Sequence, residues 1–174
     1  MRRAALLLCG LAAALTLSGC GLRPLYGGGV EGPVQTTLAS VEVAPIEGQS
    51  GWLVSNALRD RLVTGNAASP RYRLDVRLDD QIAGLGVRRD DSVARERRTL
   101  RARYQLVELA TGAVVLDATA GSDAGIDVVG SEYATIAAER TALERLSGIV
   151  ADQIVARVAR YAQTAPAAAA PATP

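Results

Sequence analysis

The clearest pattern of hydrophobic and polar positions runs from Arg71 to Leu78, where the two classes alternate strictly. The apolar positions are Tyr72, Leu74, Val76 and Leu78. The residues between them are all charged. Because successive side chains of a strand point to opposite faces, this stretch predicts a strand with one face in the core and the other in water.

Three further segments carry a strand pattern. One runs from Gln35 to Ile46, where Pro45 ends it, and another runs from about Arg95 to Leu109. Thr111-Gly112 predicts a turn, and the alternation resumes from Val114 to Ala120 in a fourth strand. We interpret residues 80–91, with their glycines and charge pairs, as a hairpin end or an irregular extension, and residues 121–130 as a loop.

Two segments have helical periodicity. From Trp52 to Val63, apolar side chains recur every four residues, Ser50 is a candidate N-cap, and Trp52 is interpreted as a helix-core anchor. A long helix is predicted from Ser131 to about Gln163. Its apolar stripe is Ile136, Leu143, Leu146, Val150, Ile154, Val158 and Tyr161. The Ala/Pro/Thr tail that follows is predicted to be disordered.

The resulting order is strand, helix, three strands, helix. Such an order favours an α+β two-layer sandwich, with a four-stranded, mostly antiparallel sheet and two helices on one face. The opposite face of this sheet is then polar. Its predicted members are Arg73, Asp75, Arg77, Thr99, Arg101, Arg103, Asp117 and Thr119.

The N-terminus has the layout of a bacterial lipoprotein signal. Met1-Arg2-Arg3 is followed by an Ala- and Leu-rich run that is too short to span a bilayer, and then by Leu17-Ser18-Gly19-Cys20. We expect a signal peptide at 1–19, a flexible tether at 20–34 with a lipid on the Cys20 thiol, a domain at 35–162 and a tail at 163–174. An uncut signal anchor, or an ordinary secretory signal with a chance cysteine, is the alternative.

Composition excludes several kinds of function. The 174 residues include 19 basic and 18 acidic side chains, so the strong positive charge expected of a nucleic-acid-binding protein is absent. The sequence has no His, and Cys9 would leave with the signal, so we expect no His-based triad, no usual zinc site and no disulfide in the mature chain. The carboxylate pairs Asp79-Asp80 and Asp90-Asp91 resemble solvated turn residues. We therefore expect no enzyme activity and no cofactor.

One cluster of basic side chains stands above this background. Every basic residue of the chain is Arg, and alternation places Arg95, Arg97, Arg101 and Arg103 on one face of a strand, with Arg98 on the other. Guanidinium groups on a rigid strand can bind phosphate through paired hydrogen bonds. The alternative is a solvated, salt-bridged face, since Asp75 and Asp79 are candidate partners across the sheet.

Several motifs resemble the LptE family of lipopolysaccharide-assembly lipoproteins. The strongest is the segment Cys20-Gly21-Leu22-Arg23-Pro24-Leu25-Tyr26-Gly27 that follows the signal. Further matches in the same order are Val43-Ala44-Pro45-Ile46, Asn56-Ala57-Leu58, Tyr72-Arg73-Leu74, Ala102-Arg103-Tyr104-Gln105-Leu106 with Thr111-Gly112, Ser131-Glu132-Tyr133-Ala134 and Ala138-Glu139-Arg140. The absence of Lys and the long tail depart from the family's pattern.

The resemblance implies two helices packed on a four-stranded sheet and a non-enzymatic role at the outer membrane. Members lie on its periplasmic face, insert into the β-barrel of LptD, help that barrel assemble and have been proposed to contact lipopolysaccharide. Because lipopolysaccharide carries phosphates, the arginine-rich hairpin is the natural contact. The competing hypothesis is a periplasm-facing transport-auxiliary lipoprotein that binds a lipid or another envelope partner, which would require an enclosed apolar cavity.

Overall fold

The computed structural model of the chain describes residues 32–62, 70–87 and 93–164. Its elements are α1 (Pro33–Ala39), β1 (Val41–Val43), α2 (Gly48–Arg61), β2 (Tyr72–Val87), β3 (Val93–Glu108), β4 (Val114–Asp127) and α3 (Glu132–Thr164). The predicted signal peptide, Cys20 and most of the predicted tether lie outside the described residues, as does the tail from residue 165.

The four strands form one mixed sheet in the order β1-β2-β3-β4. β2 pairs with β3, and β3 with β4, in antiparallel orientation, whereas β1 pairs with β2 in parallel orientation. The predicted mostly antiparallel sheet is confirmed in part, with one exception, the parallel pairing of β1 with β2. Its cause is the helix α2, because a crossover connection returns the chain to the end of the sheet at which β1 began.

The long strands extend further than the sequence predicts. β2 continues through Gly84 to Val87, since this segment keeps its antiparallel register with β3 (Gly84 pairs with Glu96). The loop predicted for residues 121–130 is wrong up to Asp127, because β4 also stays paired with β3 that far. Ladder hydrogen bonds satisfy the backbone here, and they outweigh the weak strand propensity of glycine.

The strand predicted from Gln35 to Ile46 is mostly wrong. Its first part is the helix α1, and only Val41–Val43 is strand. Pro33 is compatible with a helix start, because a first-turn residue has no intrahelical partner for its N–H. Val34 and Leu38, four residues apart, are both buried on the same side of the helix. The same segment also has alternating apolar and polar residues, and this pattern led to the prediction of a strand.

The helix α2 begins earlier than predicted, and Glu47 rather than Ser50 occupies its N-cap position. Val54 and Leu58 are fully buried, as the four-residue spacing predicts. Trp52, however, is 64% exposed, so its interpretation as a core anchor is wrong. Two residues correspond to about 200° around a helix, which places Trp52 on the side opposite Val54.

The helix α3 packs along the apolar side of the sheet, where it contacts β3 and β4, and it also contacts α1 and α2. The predicted stripe is buried from Leu143 to Val158, and Tyr161 lies edge-on to Tyr72 with ring centroids 6.3 Å apart. Ile136, by contrast, is 47% exposed, and the buried residues of this helix begin at Ala142. One hydrophobic cluster joins these helices to the sheet.

Candidate functional site: the arginine face of the sheet

The four arginines predicted from the sequence lie on one face of β3. Their side chains are exposed, and the residues that alternate with them between Leu100 and Leu106 are buried in the core. We call this exposed side of the sheet the arginine face. Its four predicted members are Arg95, Arg97, Arg101 and Arg103. Because they extend over eight residues of strand, or about 26 Å, the four do not form a single cluster.

Two of these arginines pair with aspartates on β4. The Nε of Arg95 lies 2.8 Å from the Oδ1 of Asp127, and the Nη2 of Arg103 lies 3.0 Å from the Oδ2 of Asp117. All four side chains are exposed to solvent, so each ion pair adds little to stability. At these two positions the predicted alternative, a salt-bridged face, is what the structure shows.

Arg97 and Arg101 differ, because neither forms an ion pair with any residue that the structure describes. Asp79 lies directly opposite Arg101 across the strands, but its carboxylate accepts hydrogen bonds from the Nε2 of Gln81. Asp75 pairs with Arg73 on its own strand instead. The two aspartates considered as cross-sheet partners of the arginines are therefore engaged elsewhere.

Arg77 on β2 is a member of the site that the sequence analysis did not select. It lies directly opposite Arg103 in the antiparallel register, and it too has no ion pair among the described residues. The alternation placed Arg77 on the polar face. The register that brings it beside Arg103 depends on the length of the hairpin, which the sequence pattern did not define.

Arg77, Arg101 and Arg103 together line an open depression of about 740 Å³, and we call these three side chains the arginine cradle. The other residues around it are polar, such as Asp79, Thr119 and Gln153, or apolar, namely Leu78, Ala102, Ala120 and Gly121. Arg77 and Arg103 also line an adjoining depression of about 530 Å³ that reaches Pro45. The cradle is thus a shallow, solvent-open surface rather than an enclosed pocket.

Charge within the cradle is only partly balanced. A side-chain hydrogen bond from Arg103, with a second from Gln105, holds the pKa of Asp117 below its usual value. The same pair raises the pKa of Arg103. Asp79 is the second carboxylate beside the cradle, so two negative charges face three guanidinium groups, and the surface keeps a positive excess.

Arg98 is on the other side of β3, as its phase predicts. Its Nε and Nη2 bind the Asp80 carboxylate at 2.9 and 2.7 Å, and its Nη1 donates to the main-chain oxygen of Glu139 on α3 at 3.1 Å. Arg98 is only 13% exposed in its side chain. The hydrogen bond to Asp80 is the main cause of its raised pKa. Arg98 therefore joins the hairpin to α3 and is not available to a ligand.

The chemistry of the arginine face is that of binding. Guanidinium groups offer planar pairs of N–H donors that match the oxygens of phosphates and carboxylates. Within the part of the chain that the structure describes, no three Asp, Glu, His or Cys side chains come together as metal ligands. Across the same residues, no helix has both the length and the apolar character needed to cross a membrane.

Solved structures with the same architecture include bacterial lipoproteins. A chain described as a lipoprotein from Caulobacter crescentus CB15 is 27% identical, with a TM-score of 0.64 over 78% of this chain and 100% of that one. Lipoprotein B from Nitrosomonas europaea (14% identical, TM-score 0.53) matches 72% of this chain and 89% of its own. Rare lipoprotein B from Shewanella oneidensis (13%, 0.50) matches 68% and 95%. At these lower identities the likeness concerns the fold alone.

The family is shown by a sequence model, described as LptE, lipopolysaccharide-assembly, that matches residues 38–158. The matched range includes β1 to β4, α2 and most of α3. The chain belongs to the LptE family, whose members are non-enzymatic lipopolysaccharide-assembly lipoproteins. The resemblance drawn from the sequence motifs is confirmed. A comparison with curated protein sequences finds no match.

Proposed function

We propose that this chain is an outer-membrane lipoprotein that fills and helps assemble the β-barrel of LptD, through which lipopolysaccharide reaches the cell surface. Its anchor is a lipid on Cys20, and the segment that follows Cys20 connects the anchor to the folded domain on the periplasmic side. Membership of the LptE family supports this role. The lipoprotein signal ending at Gly19 supports the anchor.

The observation that carries the proposal is the contrast between the two faces of the sheet. One face is apolar and covered by α3, while the other is a broad surface of charged side chains. The interior of a membrane β-barrel is polar, in contrast to its lipid-facing exterior. A domain that presents a charged sheet face can therefore occupy such a lumen without exposing apolar surface to its polar interior.

The arginine cradle is the part of this face that contacts lipopolysaccharide in our proposal. Arg77 and Arg101 form no ion pair with any described carboxylate, and Arg103 is paired with Asp117. Phosphate groups are the natural ligands of such a set, because each guanidinium can donate two parallel hydrogen bonds. Arg95 and Arg97 extend the contact along β3 towards the tip of the hairpin.

Co-purification tests the partner. The tagged full-length chain is extracted from native membranes in a mild detergent, and a Cys20→Ser variant that cannot be lipidated serves as control. We expect a stoichiometric large β-barrel protein with the native chain and much less with the variant. A bound lipid without any barrel would contradict the proposal and favour the transport-auxiliary alternative. Normal surface lipopolysaccharide after full depletion of the chain would also contradict it.

Binding of purified lipopolysaccharide tests the cradle. The double variant Arg77→Gln/Arg101→Gln removes the two unpaired charges, and Arg140→Gln/Arg145→Gln removes the same charge from the exposed side of α3. We expect the first variant to lose at least about tenfold in affinity and the second to change less than about twofold, since loss of a charged hydrogen bond costs about 1.5–3 kcal/mol. Equal affinities would leave the arginine face as a solvated surface.

A further inference from the structure

We infer that Gly121 is a positioning residue of the arginine cradle, because the absence of a side chain at this position lets Arg101 lie flat across β4. Gln153 of α3 holds the backbone of Gly121 in place beneath it. This inference rests on the proposed function of the cradle as a phosphate-binding surface. It adds the residues that give one of its guanidinium groups a defined direction.

The evidence for this is the space above Gly121. Arg101 pairs with Gly121 in the register of β3 and β4. A Cβ atom at Gly121 would lie 2.5 Å from the Cδ and 2.7 Å from the Nη1 of Arg101, both too close for any real contact. Since both the aliphatic stem and the guanidinium of Arg101 cross this point, the whole side chain extends over β4. Any larger residue at Gly121 would force it into another direction.

A glycine is required at position 121 because a side chain there would overlap with Arg101, and not because the backbone has a positive φ. The described glycines with positive φ are Gly48 and Gly112, and Gly121 is not one of them. Glycine inside a strand weakens it, since it costs more entropy to order and packs no side chain. Such a glycine often marks a bulge, a tight bend or a site where another group approaches the backbone closely. At Gly121 the closest such group is the Arg101 side chain, followed by the main-chain oxygen of Leu100 at 3.0 Å from the Cβ position.

Gln153 fixes the same point of β4 from the other side. Its Oε1 accepts a hydrogen bond from the Gly121 N–H at 2.9 Å, and its Nε2 donates to the Gly121 carbonyl oxygen at 3.3 Å. β4 is an edge strand, so these two backbone groups have no partner strand. The side-chain amide satisfies both and ties β4 to α3. These two hydrogen bonds therefore position the Gly121 backbone, against which Arg101 packs.

The chain provides a matched control for Gly121. Gly125 lies on the same strand and the same face, pairs with Arg97, and has open space where a Cβ would be. We therefore compare Gly121→Ala with Gly125→Ala in the full-length lipidated protein. We expect Gly121→Ala to weaken binding of purified lipopolysaccharide about five- to tenfold, and Gly125→Ala to leave it within about twofold of the native value.

A double-mutant cycle separates positioning from a general structural effect. If Gly121 acts through Arg101, the Gly121→Ala substitution has no further effect on affinity in an Arg101→Gln background. If it only disturbs the strand, its effect on affinity stays the same in both backgrounds, and the inference is overturned. Gln153→Ala is expected to give a smaller loss of affinity that also disappears in the Arg101→Gln background.

A measurement without ligand keeps this inference distinct from the proposed function. The NMR signal of the Arg101 Nε–H group reports its surroundings, and we expect Gly121→Ala to shift it while Gly125→Ala does not. An unshifted signal overturns the inference whatever the affinity. If the signal shifts as expected but Arg101→Gln binds lipopolysaccharide like the native chain, the phosphate-binding role of the cradle fails while the positioning by Gly121 stands.

Discussion

Arg77 on β2 and Arg103 on β3 occupy directly opposite positions in the antiparallel register, with both side chains on the exposed face of the sheet. Like charges at opposite positions destabilise a strand pair. Asp117 offsets the charge of Arg103, but no described carboxylate forms an ion pair with Arg77. A cost of this kind, placed beside an open depression, is what we expect where a surface is shaped for an anionic ligand rather than for stability.

Replacing Arg77 should therefore separate stability from binding. We expect Arg77→Gln to keep or raise the free energy of unfolding, by roughly 0.2–0.5 kcal/mol, because the like-charge contact with Arg103 is removed. The same variant should bind lipopolysaccharide more weakly. Urea denaturation and a binding titration measure the two effects.

The control is Arg73→Gln on the same strand and face, which breaks the pair with Asp75 and relieves no repulsion. It should lower stability slightly, or leave it unchanged, and keep native affinity. If Arg77→Gln instead destabilises the domain and binds normally, the side chain has a structural role only.

A substitution of Asp117 tests whether the ion pair between Asp117 and Arg103 lowers the affinity of the cradle for lipopolysaccharide. Asp117→Asn releases Arg103 from its ion pair, so we expect affinity for lipopolysaccharide to rise a few-fold at neutral pH. A fall in affinity would mean that Asp117 orients Arg103 for binding instead of competing with the ligand. Isothermal titration of the two proteins in the same buffer gives the answer.

The same pair predicts a pH dependence of stability. The pKa of Asp117 is lower in the folded state than its ordinary value near 4, so its pairing stabilises the fold above that value. This contribution disappears as the pH falls through the folded-state pKa. The native chain should therefore be more stable than Asp117→Asn at about pH 7, and the difference should disappear once the pH is below the lowered pKa of Asp117. A difference that persisted there would have another origin.

Arg98 and Arg97 are neighbours on β3 with opposite roles. We expect Arg98→Ala to lower the free energy of unfolding by about 3 kcal/mol, because it leaves the largely buried carboxylate of Asp80 without its partner. It also removes the hydrogen bond to the Glu139 carbonyl. Arg97→Ala, on the exposed face, should change stability by less than about 0.5 kcal/mol. Similar losses for both variants would contradict the assignment of Arg98 to the structural side.

The helix α2 offers a second matched pair. Leu58 is fully buried in the cluster that joins the helices to the sheet, so Leu58→Ala should cost about 2–5 kcal/mol. Trp52, on the same helix, is 64% exposed, and Trp52→Ala should be nearly neutral. Thermal unfolding of both variants checks this. A large loss at Trp52 would restore the core-anchor interpretation that its exposure contradicts.

Patterns of period two and period four predicted most of the fold. The alternation from Tyr72 to Leu78, and the spacing of Val54 and Leu58, each allowed one interpretation, and the structure confirms both. The sequence pattern from Gln35 to Ser40 was compatible with two interpretations, a strand and a helix. Its helix depends on the burial of Val34 and Leu38, which is a tertiary effect. The parallel pairing of β1 likewise depends on where α2 returns the chain.

The arginine face was predictable only in part. Alternation along β3 correctly separated Arg98 from Arg97 and Arg101, because side-chain direction within one strand is a local property. Arg77 and Gly121 escaped selection as site residues, since their relation to Arg101 and Arg103 depends on register between strands. Register is set by pairing over the whole length of two hairpins, and it cannot be read from one strand alone.

Photo-cross-linking in living cells tests most directly whether the arginine face contacts lipopolysaccharide within the barrel. A photoreactive amino acid replaces Thr119, which lines the cradle, or Glu144, which is exposed on α3. We predict a lipopolysaccharide adduct from position 119 that is lost in an Arg77→Gln/Arg101→Gln background, and none from position 144. No adduct at 119, or equal adducts at both positions, would contradict the proposal.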